Sequence, residues 1–262
     1  MDIVVCVKRV PDVSEADVEV RPDGRGIVDD DLTWATNEWD DYAVEEAVRL
    51  KEAHGGTVRV LTVGDDDAEE VLRRALAMGA DTAEHLQDDA FEGSDALGVA
   101  RILAAAIQRA PFDLVFTGAV TGDDAGAQVG GLLAALLDVP QVALATQFTW
   151  KDGKAEVHHE VEAGLERVVE LVAPALVSVQ TGINEPRYVS IRGIRKVASV
   201  DIPVLGAADV GVEPGSVGAA GALVSVEAYA LPPAGGGAEI LEGDVDEAVA
   251  TLAQRLREQG GI

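Results

Sequence analysis

At 262 residues the chain can build one large α/β domain or two small ones, and with 48% hydrophobic residues a packed core is expected, not disorder. Its 47 acidic residues against 20 basic ones leave a formal net charge of -27, which makes nucleic acid and anionic membrane surfaces poor partners. The single cysteine, Cys6, excludes an internal disulfide framework and any cysteine-rich metal site, and it suits a reducing compartment.

Two accounts of the acidity stand side by side. Solvated carboxylate faces keep an Ala- and Gly-rich protein soluble, or the chain works in a salt-rich cytoplasm whose screening tolerates self-repulsion. No basic-then-apolar leader precedes Met1, and no apolar stretch reaches the length of a membrane span, so the chain reads as cytoplasmic and not itself membrane-inserted.

In chain order, apolar runs at 3–7, 57–63, 83–86, 113–117 and 142–145 have the pattern of strands buried on both faces. Helical periodicity fills the gaps at 38–53, 68–78, 95–109 and 127–137. Strand alternating with helix predicts an α/β fold with a doubly wound, mostly parallel sheet. Asp65-Asp66-Asp67 and Ser94-Asp95 sit where helix N-caps and dipole-matching acids are expected.

The segment from Asp113 to Gly131 reads as strand, glycine-rich loop and helix, the arrangement by which α/β folds cradle phosphate. Gly118, Gly122 and Gly126 permit close backbone approach, and free amides near Ala127, Gln128 and Val129 attract an anion. Asp123 and Asp124 repel phosphate and are expected to accept from ribose hydroxyls or to face solvent. The spacing matches neither a Walker motif nor GxGxxG, so an ordinary strand-to-helix turn remains the other reading.

After residue 145 the pattern becomes antiparallel. A hairpin is expected with Asp152-Gly153 at its turn, followed by the segment 160–171 and a buried strand at 175–179. His158 and His159 lack metal-spaced partners and read as a solvated pair. The tryptophans read as packing residues, and no arrangement of serine, histidine and acid offers a hydrolytic nucleophile.

Pro186 closes that strand and launches an exposed loop carrying Arg187, Tyr188, Ile191, Arg192, Ile194, Arg195 and Lys196. Cations interleaved with apolar side chains suit a docking surface better than a catalytic pocket. From residue 201 onward glycine and proline are too dense for an independent core, so the chain divides into a nucleotide-binding domain at 1–200 and an extended arm at 201–262. The arm ends in an amphipathic helix at 244–259, which either wraps a partner subunit or packs back on its own domain.

The string Asn184-Glu185-Pro186-Arg187-Tyr188, preceded by Glu160-Val161-Glu162-Ala163-Gly164-Leu165-Glu166 and Pro174-Ala175-Leu176-Val177, resembles the β subunit of electron transfer flavoproteins. The stretch 3–11 is similar to the family's first strand and turn, and 43–52 and 75–81 to its first two helices. These stretches stand in the family's order. The resemblance implies an adenine-nucleotide α-hydrolase-like, Rossmann-like fold in one subunit of a heterodimer, whose α subunit holds most of an FAD. It further implies a structural AMP held by Cys6, Asn37, Glu38, Trp39, Asp40, Val63 and the loop Gly118, Ala119, Val120, Thr121, Gly122, Asp123, Asp124, Ala125, Gly126, Ala127, Gln128 and Val129.

By the same resemblance the partners are acyl-CoA dehydrogenases and similar flavoenzymes as donors, and electron transfer flavoprotein-quinone oxidoreductase at the membrane as acceptor. Ile191 is the apolar anchor of the docking loop, where relatives have Leu and a longer lysine run. Glu160 occupies the position of a carboxylate that helps orient the flavin-bearing domain. The ending Ala127-Gln128-Val129-Gly130 resembles the electron-bifurcating branch, in which a second FAD replaces AMP and reacts with NADH. Outside the family, a stand-alone adenine-nucleotide-binding sensor domain would use the same sheet.

Overall fold

The computed structural model describes every residue except Glu15, Ala234 and Ile262. It falls into two compact units, one formed by residues 1–18 and 29–227 and the other by 19–28 and 228–262.

In the first unit the chain runs β1 (Asp2–Cys6), β2 (Arg9–Asp12), β3 (Thr33–Thr36), α1 (Glu38–His54), β4 (Thr57–Val63), α2 (Glu69–Met78), β5 (Thr82–Leu86), α3 (Ala96–Ile107) and β6 (Leu114–Gly118). It continues with α4 (Val129–Leu137), β7 (Gln141–Lys151), β8 (Lys154–Val161), β9 (Leu165–Val172), β10 (Ala175–Val179), α5 (Ile191–Val197), β11 (Val204–Leu205), α6 (Ala207–Val210) and α7 (Gly218–Gly221). Nine strands form one sheet in the order β11-β5-β4-β1-β6-β10-β7-β8-β9. Neighbours from β11 to β7 are parallel, and β7-β8-β9 are antiparallel. The fold is the α/β, doubly wound, mostly parallel sheet with an antiparallel addition that the alternation of patterns predicts.

Period-two side chains divide the core between two faces. On one, Ile3, Val5, Val60, Leu114 and Phe116 meet Ala43, Ala47 and Val48 of α1 and Leu72 and Ala75 of α2. On the other, Val4, Leu61, Val115 and Leu176 meet Ile102, Leu103 and Ala106 of α3 and Leu133 of α4. The chain moves outward from β1 through β4 to β5, then returns through α3 to β6 on the opposite flank of β1. That reversal falls at the carboxyl ends of β1 and β6, the place where doubly wound sheets bind ligands.

Several local expectations change. Asp95 caps α3, accepting from the Gly98 amide at 2.8 Å, whereas Asp65 makes no side-chain cap. Asp152 and Gly153 adopt φ of 53° and 82°, the left-handed pair that a two-residue hairpin needs. The strand expected at 142–145 is the first part of β7. It runs parallel to β10 and then, past Ala145, pairs antiparallel with β8. The segment 160–171 divides into the end of β8, a turn at Glu162–Gly164 and most of β9.

Part of the basic segment expected as a loop is helical. Ser190 caps α5 by accepting from the Gly193 amide at 3.1 Å. The glycine-rich stretch after residue 201 does borrow its core, but from the large sheet. β11 pairs with β5 at the edge, and Ala207, Val210 and Val217 are buried against the α3 side, so the first unit continues through Glu227.

Within the second unit, Val20 and Ile27 form a bridge and the Tyr229 amide donates to Gly24 O at 2.7 Å. Its helix α8 (Val245–Glu258) has a capping box from Asp244 and Glu247. Arg255 pairs with Glu239. None of the residues of α8 is buried, and Val245, Val249, Leu252 and Leu256 form an exposed apolar stripe.

Candidate functional site

The site at the reversal point is assembled by two side chains from the start of α1. Asp40 is buried, and its two carboxylate oxygens accept from the Lys8 amide at 2.8 Å and the Gly118 amide at 3.0 Å. Asn37, also buried, donates from Nδ2 to Val120 O at 3.0 Å and accepts the Gly122 amide on Oδ1 at 3.2 Å. Its own amide donates to Lys8 O at 2.9 Å. The turn after β1, the start of α1 and the glycine-rich loop are therefore one hydrogen-bonded body. Gly118 has no alternative here, because a Cβ would fall on Asp40 Oδ1 and Trp39 Cβ. Trp39 Nε1 donates to Gln180 Oε1 at 2.6 Å and ties in the end of β10.

Burial pushes the Asp40 carboxyl up to about 7, against the opposing pull of the hydrogen bonds from Lys8, Asn37 and Gly118. Burial, reinforced by the charge of Asp40, pushes the Cys6 thiol up to about 12, so it stays a buried, unreactive thiol. Glu38 is exposed on the first turn of α1, and Val63 is half-buried at the end of β4.

Lys8 reaches across to the loop, with Nζ 2.6 Å from Asp123 and 3.2 Å from Asp124. Asp124 also accepts from Thr121 Oγ1 at 2.9 Å and from the Gly126 amide at 2.7 Å. Burial raises the carboxyl of Asp124, but the Gly126 amide and Lys8 outweigh it and hold the group below its usual range. The two acids are thus occupied by a cation and by their own loop. Both are also exposed, as the solvent alternative expects; sequence reasoning missed Lys8, whose only signal was its place immediately past the first strand.

Ala125 and Ala127 both adopt a left-handed φ of 51°, which costs about 1–2 kcal/mol per residue without glycine's freedom. The loop then delivers α4, which starts at Val129 with no side-chain cap. Its first-turn amides have no acceptor within the helix. No atom comes within 4 Å of where a Cβ on Gly122 would lie, so the loop is open on that side. An uncapped helix start behind an open glycine turn, with a lysine set against the two nearby carboxylates, can receive a nucleotide phosphate. Gly130 lets α4 settle onto the sheet, since a Cβ there would meet Ser178 Oγ, itself 2.9 Å from Thr117 Oγ1.

A second feature lies on the flank of α1 and α2. Tyr188 is 88% exposed and Ile191 68% exposed, with Ile194 also exposed beside Arg192, Arg195 and Lys196. Arg187 differs from the other cations of this segment, because its guanidinium is taken up by Glu45 and Glu52 of α1. Glu160 is exposed on β8 directly across from Glu166, which His158 Nδ1 contacts at 3.2 Å. His159 Nδ1 lies 2.6 Å from Ala143 O. Among the described residues no cluster of three or more His, Cys, Asp or Glu could hold a metal, and no helix is long and apolar enough to cross a membrane.

Residues 25–210 match the electron transfer flavoprotein domain. The chain belongs to the electron transfer flavoprotein β-subunit family. It is 39% identical to the electron transfer flavoprotein subunit beta of Methylophilus methylotrophus over the whole of both chains. It is 37% identical to the subunit of the same name from Thermoanaerobacterium thermosaccharolyticum, covering 98% of each. A subunit of a caffeyl-CoA reductase-Etf complex, CarD of Acetobacterium woodii, is 36% identical over 99% of each chain. Membership gives the chain its general role: it is a subunit of an electron carrier whose chemistry is that of a flavin. Within this family setting, the loop 118–129 is the candidate ligand site, and the exposed face of α5 is the candidate contact surface.

Proposed function

We propose that the chain is the β subunit of a heterodimeric electron transfer flavoprotein, carrying electrons from acyl-CoA dehydrogenases and similar flavoenzymes toward electron transfer flavoprotein-quinone oxidoreductase. The observation that carries this reading is the glycine loop held by Asn37 and Asp40 at the reversal point of the sheet, in a chain that matches a relative of the family from end to end. AMP is the ligand assigned to it. Its phosphate belongs at the amides of the first turn of α4, while Asn37 and Asp40 hold the loop and Lys8 offsets Asp123 and Asp124. AMP brings no redox chemistry; the FAD held mainly by the α subunit supplies that when bound.

The chain's own residues bind, hold and present. Asp40 and Asn37 keep the loop closed on α1, and α5 offers Ile191 and Ile194 to a pocket on the donor, with Arg192, Arg195 and Lys196 steering an acidic partner. The exposed stripe of α8 and the exposed Leu231 and Ile240 of the same unit supply apolar surface for the α subunit. Glu160 is assigned to orienting the flavin-bearing domain. A second reading, with FAD at this site and NADH as donor, is supported by the Ala127-Gln128-Val129-Gly130 ending.

The test of the contact surface is Ile191→Ala in the purified heterodimer. Electron transfer from a dehydrogenase should slow by about tenfold, the scale of losing one buried aliphatic anchor, while nucleotide content and melting temperature stay constant. Loss of folding would show Ile191 to be core.

A further inference from the structure

Within the signature Asn184-Glu185-Pro186-Arg187-Tyr188, Asn184 and Arg187 turn inward onto α1, while Glu185 and Tyr188 stay exposed. Arg187 Nε donates to Glu45 Oε2 at 2.8 Å and Nη2 to Glu45 Oε1 at 3.1 Å. On the same guanidinium, Nη1 and Nη2 donate to the two oxygens of Glu52 at 2.8 and 3.1 Å. The Arg187 amide adds a bond to Glu45 Oε2 at 3.1 Å. Beside it, Asn184 Nδ2 donates to Tyr42 O at 3.0 Å and Glu46 Oε2 at 2.9 Å. A planar guanidinium gripped by two carboxylates has one orientation, and Glu45, only 5% exposed, cannot lose its cation without leaving a buried charge unpaired.

The helix that follows has little packing to place it, Val197 of α5 and Val189 just before it being only partly buried against the core. α5 has seven residues, none of them buried, which is below the length at which a helix persists on its own propensity. At its far end Arg73 of α2 donates to Val197 O at 2.8 Å and Ala198 O at 3.1 Å. The helix is therefore strung between two arginine clamps, one on α1 and one on α2.

We propose that Arg187 is a positioning residue, not a docking cation: clasped by Glu45 and Glu52, it fixes where α5 presents Ile191 and Ile194 to a donor flavoprotein. This rests on the docking role given to α5 above. Holding the helix in place before encounter removes the ordering cost that binding would otherwise carry.

The experiment uses the flavin-loaded heterodimer with Arg187→Ala, Arg187→Lys, Glu52→Gln and Ile191→Ala. Amide hydrogen exchange over 191–197 is read alongside KM and kcat for reduction by an acyl-CoA dehydrogenase, the rate of reduction by dithionite, and flavin content. For Arg187→Ala, exchange over 191–197 should quicken and KM should rise about tenfold, an increment of about 1.4 kcal/mol, with kcat, dithionite reduction and flavin content unchanged. Arg187→Lys should not rescue, because an ammonium cannot fork two carboxylates, and Glu52→Gln should shift both readouts part of the way. Glu52 is 55% exposed on its side chain, so that variant tests the clasp even if Arg187→Ala fails to fold. Unchanged exchange and KM in the Arg187 and Glu52 variants, with a raised KM in Ile191→Ala, would overturn the clasp and leave the docking role standing. No effect from Ile191→Ala would remove both.

Discussion

Asp40 is the residue on which the candidate site turns. One carboxylate oxygen serves the turn after β1 and the other serves the loop after β6, so an asparagine there would set its amide against one of two backbone donors. Asp40→Asn should cost about 1–3 kcal/mol near neutral pH and loosen the loop. The pH dependence has a definite sign. The folded value of about 7 lies above the unfolded one, so the contribution of this group is fully present below about 4 and is lost as pH rises through 7. The melting temperature of the wild-type chain should therefore fall, relative to Asp40→Asn, between pH 5 and pH 8. Parallel curves for the two proteins would show that the carboxyl titrates as if in water.

Among the elements, α4 and α5 illustrate opposite ways of fixing a helix. α4 rests on the sheet through Gly130, and Gly130→Ala should destabilise by about 1–3 kcal/mol, because the added methyl meets Ser178 in a packed layer. A denaturant midpoint shift with unchanged m-value would record it, and no shift would mean that α4 can slide. α5 is fixed by charge from outside. That difference explains what was legible in the sequence. Elements whose positions depend on local apolar period, such as β4, β10 and α1, are readable with few boundary errors. The helical turn at Ile191–Val197 is not, because its apolar contact with the core is slight, through Val197, and it depends on Ser190 and on Arg73 far away in sequence. The same holds within the candidate site. The glycine loop and the α1 start are visible as stretches, but the Lys8 ion pairs and the inward turn of Arg187 arise from residues more than a hundred positions apart. The ribbon of β2 and β3, with Arg9 stacked 4.3 Å over Trp34, was likewise hidden, its strands being four residues each.

For the whole molecule, the net charge of -27 is an energetic burden that salt relieves. The Debye length falls from about 10 Å at 0.1 M to about 3 Å at 1 M, so the melting temperature should rise over that range if the acidity is an adaptation to salt. An unchanged melting temperature would leave carboxylate solvation as its whole purpose. Against that field the cations on α5 are a local exception, and the exposed stripe of α8 is the apolar surface proposed above for the α subunit. The central claim, a nucleotide-holding β subunit that works only with its α partner, has one direct test. The chain is co-expressed with its α subunit, the purified complex is denatured, and every released nucleotide is identified by mass. The account predicts one FAD and one AMP per heterodimer. Two FAD would establish the second reading, whereas a colourless, monodisperse chain that ignores the α subunit and releases no nucleotide would contradict the account.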